Sequence, residues 1–168
     1  SLTMHGVLMD ISGVGILITG HSGVGKSETA MELIKRGHRL VADDSVIIRR
    51  EGDTLVGTSP ELIRYFMELR GIGILNIKNM YGSGSILNEK SIELVMELED
   101  WVEGKEYDRL GVGTQYETIL NQKVMKHTIP VKPGRNLSII IEVAARNFRL
   151  KSMGYDAAQE LISRTIGR

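Results

Sequence analysis

Gly20-His21-Ser22-Gly23-Val24-Gly25-Lys26-Ser27 fits the spacing G-x-x-x-x-G-K-[ST]. Each fixed position in that pattern has a physical task. Gly20 and Gly25 allow backbone turns that a Cβ would block, so that successive N–H groups converge on phosphate oxygens. Lys26 brings a positive charge to the β- and γ-phosphates, and the Ser27 hydroxyl is of the kind that holds Mg²⁺. His21, Ser22, Gly23 and Val24 fill the variable positions of the loop. Such a loop binds a nucleoside polyphosphate or a close relative.

The flanks agree with this reading. Val14, Ile16, Leu17 and Ile18 form an apolar run suited to a buried strand that ends at Gly20. Residues 27–36 read as a helix with Ala30, Leu33 and Ile34 on one face. Glu32 is spaced to pair with Arg36, and Gly37 supplies a stop. Strand, glycine loop and helix N-terminus together make an anion site favoured by the helix dipole.

Size and composition bound the rest. The 168 residues predict one domain with a substantial core, and 42% hydrophobic with 25% charged residues is ordinary for a soluble globular protein. Lys plus Arg and Asp plus Glu are both 21, so there is no basic excess to favour nucleic acid. No apolar run approaches about 20 residues, which argues against a membrane span. The opening Ser1-Leu2-Thr3-Met4 does not read as a secretory signal. Lack of cysteine excludes disulfides and thiol catalysis and fits a reducing cytosol. Four scattered histidines without H-x-x-x-H spacing make a structural zinc site improbable.

Along the chain, Arg39-Leu40-Val41-Ala42 looks like a strand running into Asp43-Asp44. Residues 45–50 and 54–56 predict a hairpin turning at Gly52-Asp53. A short helix is expected over 60–66, and a glycine-interrupted strand over 69–77. Ile92, Leu94, Met96 and Leu98 alternate, predicting a strand with one solvated face. Residues 116–131 predict further strands. Leu137, Ile140, Ile141, Ala144 and Phe148 recur at helical spacing, and Asp156 is placed to cap a last helix ending near Ile166. The fold class is therefore α/β, with a mixed, hairpin-rich sheet and helices concentrated at the C-terminal end.

The candidate chemistry lies in a few charged residues. Asp43 follows Lys26 by 17 positions, too close for a distant strand of a large parallel sheet, so an unusual topology is expected. On an extended backbone Asp43 and Asp44 point to opposite faces, and one of them would face the loop. That carboxylate could take a proton from an attacking hydroxyl, with a like-charged neighbour raising its pKa, or the pair could simply form a turn. Glu68 could complete a Mg²⁺ shell with Ser27, or be a surface glutamate. Arg109 could neutralise a transferring phosphoryl group, as could Lys132 and Arg135, although most arginines are solvated. His5, His38 and His127 carry no motif of their own, and Trp101 reads as a packing residue.

Taken together these pieces resemble one family. Met4-His5-Gly6, the 20–27 loop, residues 40–44, Glu68-Leu69-Arg70-Gly71-Ile72-Gly73-Ile74-Leu75-Asn76 and Asp108-Arg109-Leu110-Gly111 occur in order. Val131-Lys132-Pro133-Gly134-Arg135-Asn136, Arg146-Asn147-Phe148 and Lys151-Ser152-Met153-Gly154-Tyr155-Asp156 complete the set. The chain resembles the catalytic domain of bacterial HPr kinase/phosphorylase over nearly its whole length.

That resemblance implies a phosphate-loop fold like that of phosphoenolpyruvate carboxykinase. It also implies a bifunctional cytoplasmic enzyme of carbon catabolite repression. Such an enzyme uses ATP or pyrophosphate to phosphorylate a serine of HPr, and uses inorganic phosphate to remove the group as pyrophosphate. Carried over by motif, Asp43 is the base of the forward reaction and the acid of the reverse. His5, Lys26 and Arg109 fall on the other catalytic positions, and Ser27 and Glu68 on those for Mg²⁺. Residues 67–76 match a segment used in both directions, and 130–135 one used in phosphorolysis. Hexameric assembly is implied, with HPr docking near the loop and a neighbouring C-terminal helix. Family members usually carry an N-terminal domain that is absent here, so residues 1–168 are expected to be an excised catalytic domain. A small-molecule kinase and a non-catalytic nucleotide switch are the competing readings.

Overall fold

Val7 to Thr19 reads almost without a polar interruption because its two strands are covered on both faces. The computed structural model describes residues 1–104 and 115–166. After β1 (Leu2–His5), β2 (Val7–Ile11) and β3 (Val14–Thr19) form a hairpin. Its turn at Ser12-Gly13 has positive φ at both residues, and the Asp10 carboxylate accepts the Gly13 N–H at 2.9 Å. Every residue of β2 and β3 is buried, which places the hairpin at the centre of the molecule.

Around it lies a six-stranded sheet in the order β11 (Gln115–Ile119), β12 (Gln122–Val131), β10 (Leu94–Asp100), β3, β2, β4 (Arg39–Ala42). Strand β3 is parallel to β10, which is parallel to β12, while β2 lies antiparallel between β3 and β4. Hence β3, β4, β10 and β12 all run the same way. The residues that follow them, and those that precede β2, meet at one edge of the sheet. Ligand sites of α/β proteins lie at such carboxyl edges.

One face of this sheet carries α1 (Lys26–Lys35) and α3 (Leu137–Ser152), with Met9, Ile16, Met96, Leu33 and Ile141 in a shared core. The other face is covered by a four-stranded sheet, β1, β5 (Ser45–Glu51), β6 (Thr54–Thr58) and β9 (Glu89–Ser91). Leu8, Leu17, Val95, Val46 and Ile48 fill the space between the sheets. Each such side chain removed from water stabilises the fold by about 1.5–3 kcal/mol. The stretch predicted to have one wet face is therefore a central strand, β10. Val95 points into the inter-sheet core, and only Glu97, Glu99 and Asp100, near its end, keep some exposure.

Other expectations divide in the same way. The 45–56 hairpin forms as predicted, with Glu51 opposite Thr54. Gly37 ends α1: its N–H and that of His38 reach back to Ile34 and Leu33. Asp156 caps α4 (Ala157–Ile166) by accepting the Ala158 and Gln159 N–H groups. The helix expected over 60–66 is only a 3₁₀ turn at Glu61–Ile63. Leu62 there is 91% exposed, so no apolar face holds a longer helix down. Residues 69–77 are not one strand. β7 (Phe66–Leu69) turns back through the glycines into β8 (Gly73–Asn76), and Asn76 then caps the short α2 (Ile77–Tyr81).

Arg36 was expected to pair with Glu32 but forms its ion pair with Glu142 of α3, at 2.7 Å. His38 Nε2 donates to the same carboxylate. Glu142 thus ties the far end of α1 to α3, and the Arg36 guanidinium holds its carboxyl below the ordinary glutamate range. A depressed carboxylate stabilises above its unfolded pKa and loses that contribution as pH falls through the folded value. Glu142→Gln is expected to lower stability by about 1–2 kcal/mol at neutral pH, with the difference from wild type shrinking in acid. Thermal melts at several pH values measure it.

Candidate active site

Lys26 opens α1 and is only 7% exposed. Its ammonium donates to the carbonyls of Gly20 at 2.9 Å and His21 at 3.0 Å, so the loop wraps its own lysine. Burial lowers the Lys26 pKa from its ordinary value, opposed by the carboxylates of Asp44, Asp43 and Glu28. Gly20 has φ of 141°, and a Cβ there would stand 2.6 Å from the Leu98 carbonyl oxygen. Gly25, the N-cap, has φ of 109° with open space where a Cβ would be. There the backbone conformation alone selects glycine. The first N–H groups of α1 have no partner within the helix and make an anion-favouring end.

Asp43 directly follows β4 at the same sheet edge. It is 6% exposed. Its Oδ1 accepts the Ser27 hydroxyl at 2.9 Å, and Oδ2 accepts the Glu68 N–H at 3.4 Å. Burial raises its pKa, and the two hydrogen bonds partly offset that. Asp44 raises it as expected of a like-charged neighbour, by a smaller push than burial. The two aspartates are not separated by strand alternation. Asp44 has φ of 69°, and the Ser45 N–H bonds the Asp43 carbonyl at 2.8 Å across a three-residue turn. That turn leaves Asp43 inside and Asp44 in solvent.

His5 comes from the junction between β1 and β2. Its Nδ1 donates to Asp44, 3.1 Å from the main-chain oxygen and 3.2 Å from Oδ1. Glu68 arrives on β7, which with β8 forms the outer wall. Lys26, Ser27, Asp43, Glu68 and His5 thus line one cleft of about 340 Å³. Arg70 lines it too. Its guanidinium nitrogens lie 3.4 Å from where a Cβ on Gly23 would stand. Arg70 stands within the 68–76 motif, but the sequence pattern assigns it no role of its own. The available signal was an arginine beside Gly71 in a loop-like stretch.

His21 and Ser22 complete the loop, the His21 ring turning toward Asp100 at the end of β10, at 3.0 Å. Trp101 is half-exposed rather than packed, with the Lys132 ammonium 4.8 Å from the ring centroid. Lys132 and Arg135 form the turn after β12. Arg109 lies outside the described residues.

The donor set suits a hard cation. Ser27 gives its proton to Asp43, leaving its lone pairs available, and Glu68 lines the same cleft. Among the described residues no group of three or more histidines or carboxylates is arranged to hold a metal. One hydroxyl and one carboxylate are what Mg²⁺ uses when phosphate oxygens and water supply the rest.

A family model, HPr Serine kinase C-terminal domain, matches residues 1–165. The HPr kinase/phosphorylase of Peptoclostridium acidaminophilum is 63% identical over 160 residues, 95% of this chain and 52% of that protein. That of Bacillus subtilis is 59% identical over 162 residues, 96% of this chain and 52% of that protein. The chain spans about half the length of the curated relatives it matches. Among solved structures, the Hpr(Ser) kinase/phosphatase from Coxiella burnetii superposes with a TM-score of 0.87 at 34% identity, covering 96% of this chain and 98% of that one. The chain belongs to the HPr Serine kinase C-terminal domain family.

Proposed function

We propose that residues 1–168 form a catalytic domain that phosphorylates a serine of HPr from ATP or pyrophosphate and reverses the reaction by phosphorolysis. The observation that carries this reading is Asp43, buried and hydrogen-bonded to Ser27 beside the lysine of the 20–27 loop. A base and a phosphate cradle within one cleft are the two parts that phosphoryl transfer requires. The names of the relatives, HPr kinase/phosphorylase, support the same substrate. The cradle on a strand flanked by β2 and β10, with Asp43 one strand beyond, supports the phosphoenolpyruvate carboxykinase-like type. No helix among the described residues is long and apolar enough to cross a membrane, and we place the reaction in the cytoplasm.

In the forward direction the loop amides and Lys26 bind the polyphosphate. Asp43, deprotonated, accepts the proton of the serine hydroxyl as the serine oxygen attacks the terminal phosphorus in line, and the bond to the bridging oxygen breaks to release ADP, or phosphate when pyrophosphate is the donor. Bound Mg²⁺, held through Ser27 and Glu68, would neutralise charge on the phosphate oxygens. In reverse, phosphate attacks phosphoserine, and protonated Asp43 returns its proton to the serine oxygen while pyrophosphate remains in the cradle. His5 steadies the turn that presents Asp43, and Arg109 is assigned to the transferring group. A hexamer with HPr docked beside the cleft belongs to the same proposal.

Incubation with HPr and Mg²⁺-ATP, followed by inorganic phosphate, tests the reading. Phosphoserine should form first, then disappear with stoichiometric release of pyrophosphate. Nucleotide binding without HPr phosphorylation would overturn it. Transfer to a metabolite would then indicate a small-molecule kinase, and tight binding without turnover a switch.

A further inference from the structure

His21 occupies a position at which the loop pattern accepts any residue, yet both of its ring nitrogens are engaged. Nδ1 stands 2.8 Å from the Ser22 carbonyl oxygen and Nε2 3.0 Å from Asp100 Oδ2. Each of those oxygens is an acceptor. Each ring nitrogen must therefore donate, and a histidine that donates from both carries a positive charge. The direction of the His21 pKa agrees: the Ser22 carbonyl, then Asp100, raise it above the ordinary value. The same residue uses its main chain on the other side of the loop, where its carbonyl holds the Lys26 ammonium.

The charged groups around the ring, among the described residues, come from four strands and α1. Asp100 of β10 attracts the ring and Lys26 of α1 repels it. Glu97 and Glu99 of β10, Glu117 of β11 and His5 of β1 line the same recess on the outer side of the loop. Lys126 of β12 pairs with Glu97 and Glu117, and Asp100 is the carboxylate that favours the proton on the ring. Loss of that proton would leave one of the two nitrogens facing an oxygen with a lone pair, and one bond would break.

We infer that His21 is a positioning residue: as an imidazolium it clips the first turn of the 20–27 loop to the end of β10, so that polyphosphate affinity falls when the ring loses its proton. The inference rests on the proposed reading of this loop as the donor site. The ring does not line the cleft that holds Lys26 and Asp43, so it acts through the loop, holding the carbonyl that aims Lys26. Exposed charge pairs carry modest energies, and the expected effect is correspondingly about two- to fivefold in affinity.

Two measurements test it on the intact chain. Histidine NMR, with His21 assigned by its loss in His21→Gln, should show both ring nitrogens protonated at neutral pH. The midpoint should lie above that of an ordinary histidine and fall in Asp100→Asn. Calorimetry with Mg²⁺-pyrophosphate should then show wild type losing about two- to fivefold more affinity than His21→Gln as pH rises through that midpoint. His21→Arg should keep its affinity over the same rise. A ring that titrates at or below the ordinary histidine value overturns the inference. So do parallel affinity curves for wild type and His21→Gln, in which case the donor-site reading stands. Failure of wild type to bind pyrophosphate at any pH removes both.

Discussion

Asp43→Ala is expected to slow HPr phosphorylation and phosphorolysis together, by about 10²- to 10⁴-fold, the range that a positioned general acid–base supplies. Nucleotide affinity should stay near wild type, because Asp43 contacts Ser27 and Glu68 rather than the loop amides. The protein should not melt earlier. Burial holds the Asp43 carboxyl above its ordinary pKa. The folded state therefore binds that proton more tightly than the unfolded chain, and stability is lost as pH rises from the unfolded value through the folded one. Removing the group removes that cost. The same raised pKa gives the two reactions opposite acid limbs. Phosphorylation should rise with pH as Asp43 loses its proton, and phosphorolysis should fall over the same interval. Rate–pH profiles in both directions, with binding by calorimetry, check all of this; an Asp43→Ala protein active in either direction would refute the assignment.

Lys26→Met is expected to weaken binding of Mg²⁺-ATP and of pyrophosphate by about 10- to 100-fold, the usual worth of hydrogen bonds to a charged group. Turnover should fall further, because charge also builds on the transferring phosphoryl group. The substitution removes the donor that bridges the Gly20 and His21 carbonyls. Gly20 and His21 line an open recess on the outer side of the loop, where water can reach the loop, so the fold should survive. Equilibrium binding combined with a melting curve separates the two effects. Unchanged affinity in a folded variant would mean that the loop does not hold the polyphosphate.

Much of this molecule was readable from local pattern. The strand before Gly20, the helix after it, the 45–56 hairpin and the Asp156 cap each rest on neighbours within a few residues, and each is found where expected. The errors share a cause. Ile92 to Glu99 was given a wet face because its alternation is clear, but the neighbouring sheet covers that face at Val95. The 60–66 segment lacks a surface to bury an apolar stripe, so a helix-compatible pattern stayed a single turn. Arg36 found Glu142, 106 positions away, rather than Glu32 on its own helix.

The site divides along the same line. Gly20, Gly25, Lys26 and Ser27 declare themselves in eight consecutive residues, because a phosphate cradle is made by local backbone geometry and a helix end. His5, Asp43 and the Glu68–Arg70 segment come from three other places in the chain. They meet because β3 and β4 run in the same direction with β2 antiparallel between them, and because the β7–β8 hairpin folds over the edge where they finish. Burial, the cause of the Asp43 shift, and the clip between His21 and Asp100 likewise exist only once strands distant in sequence lie side by side.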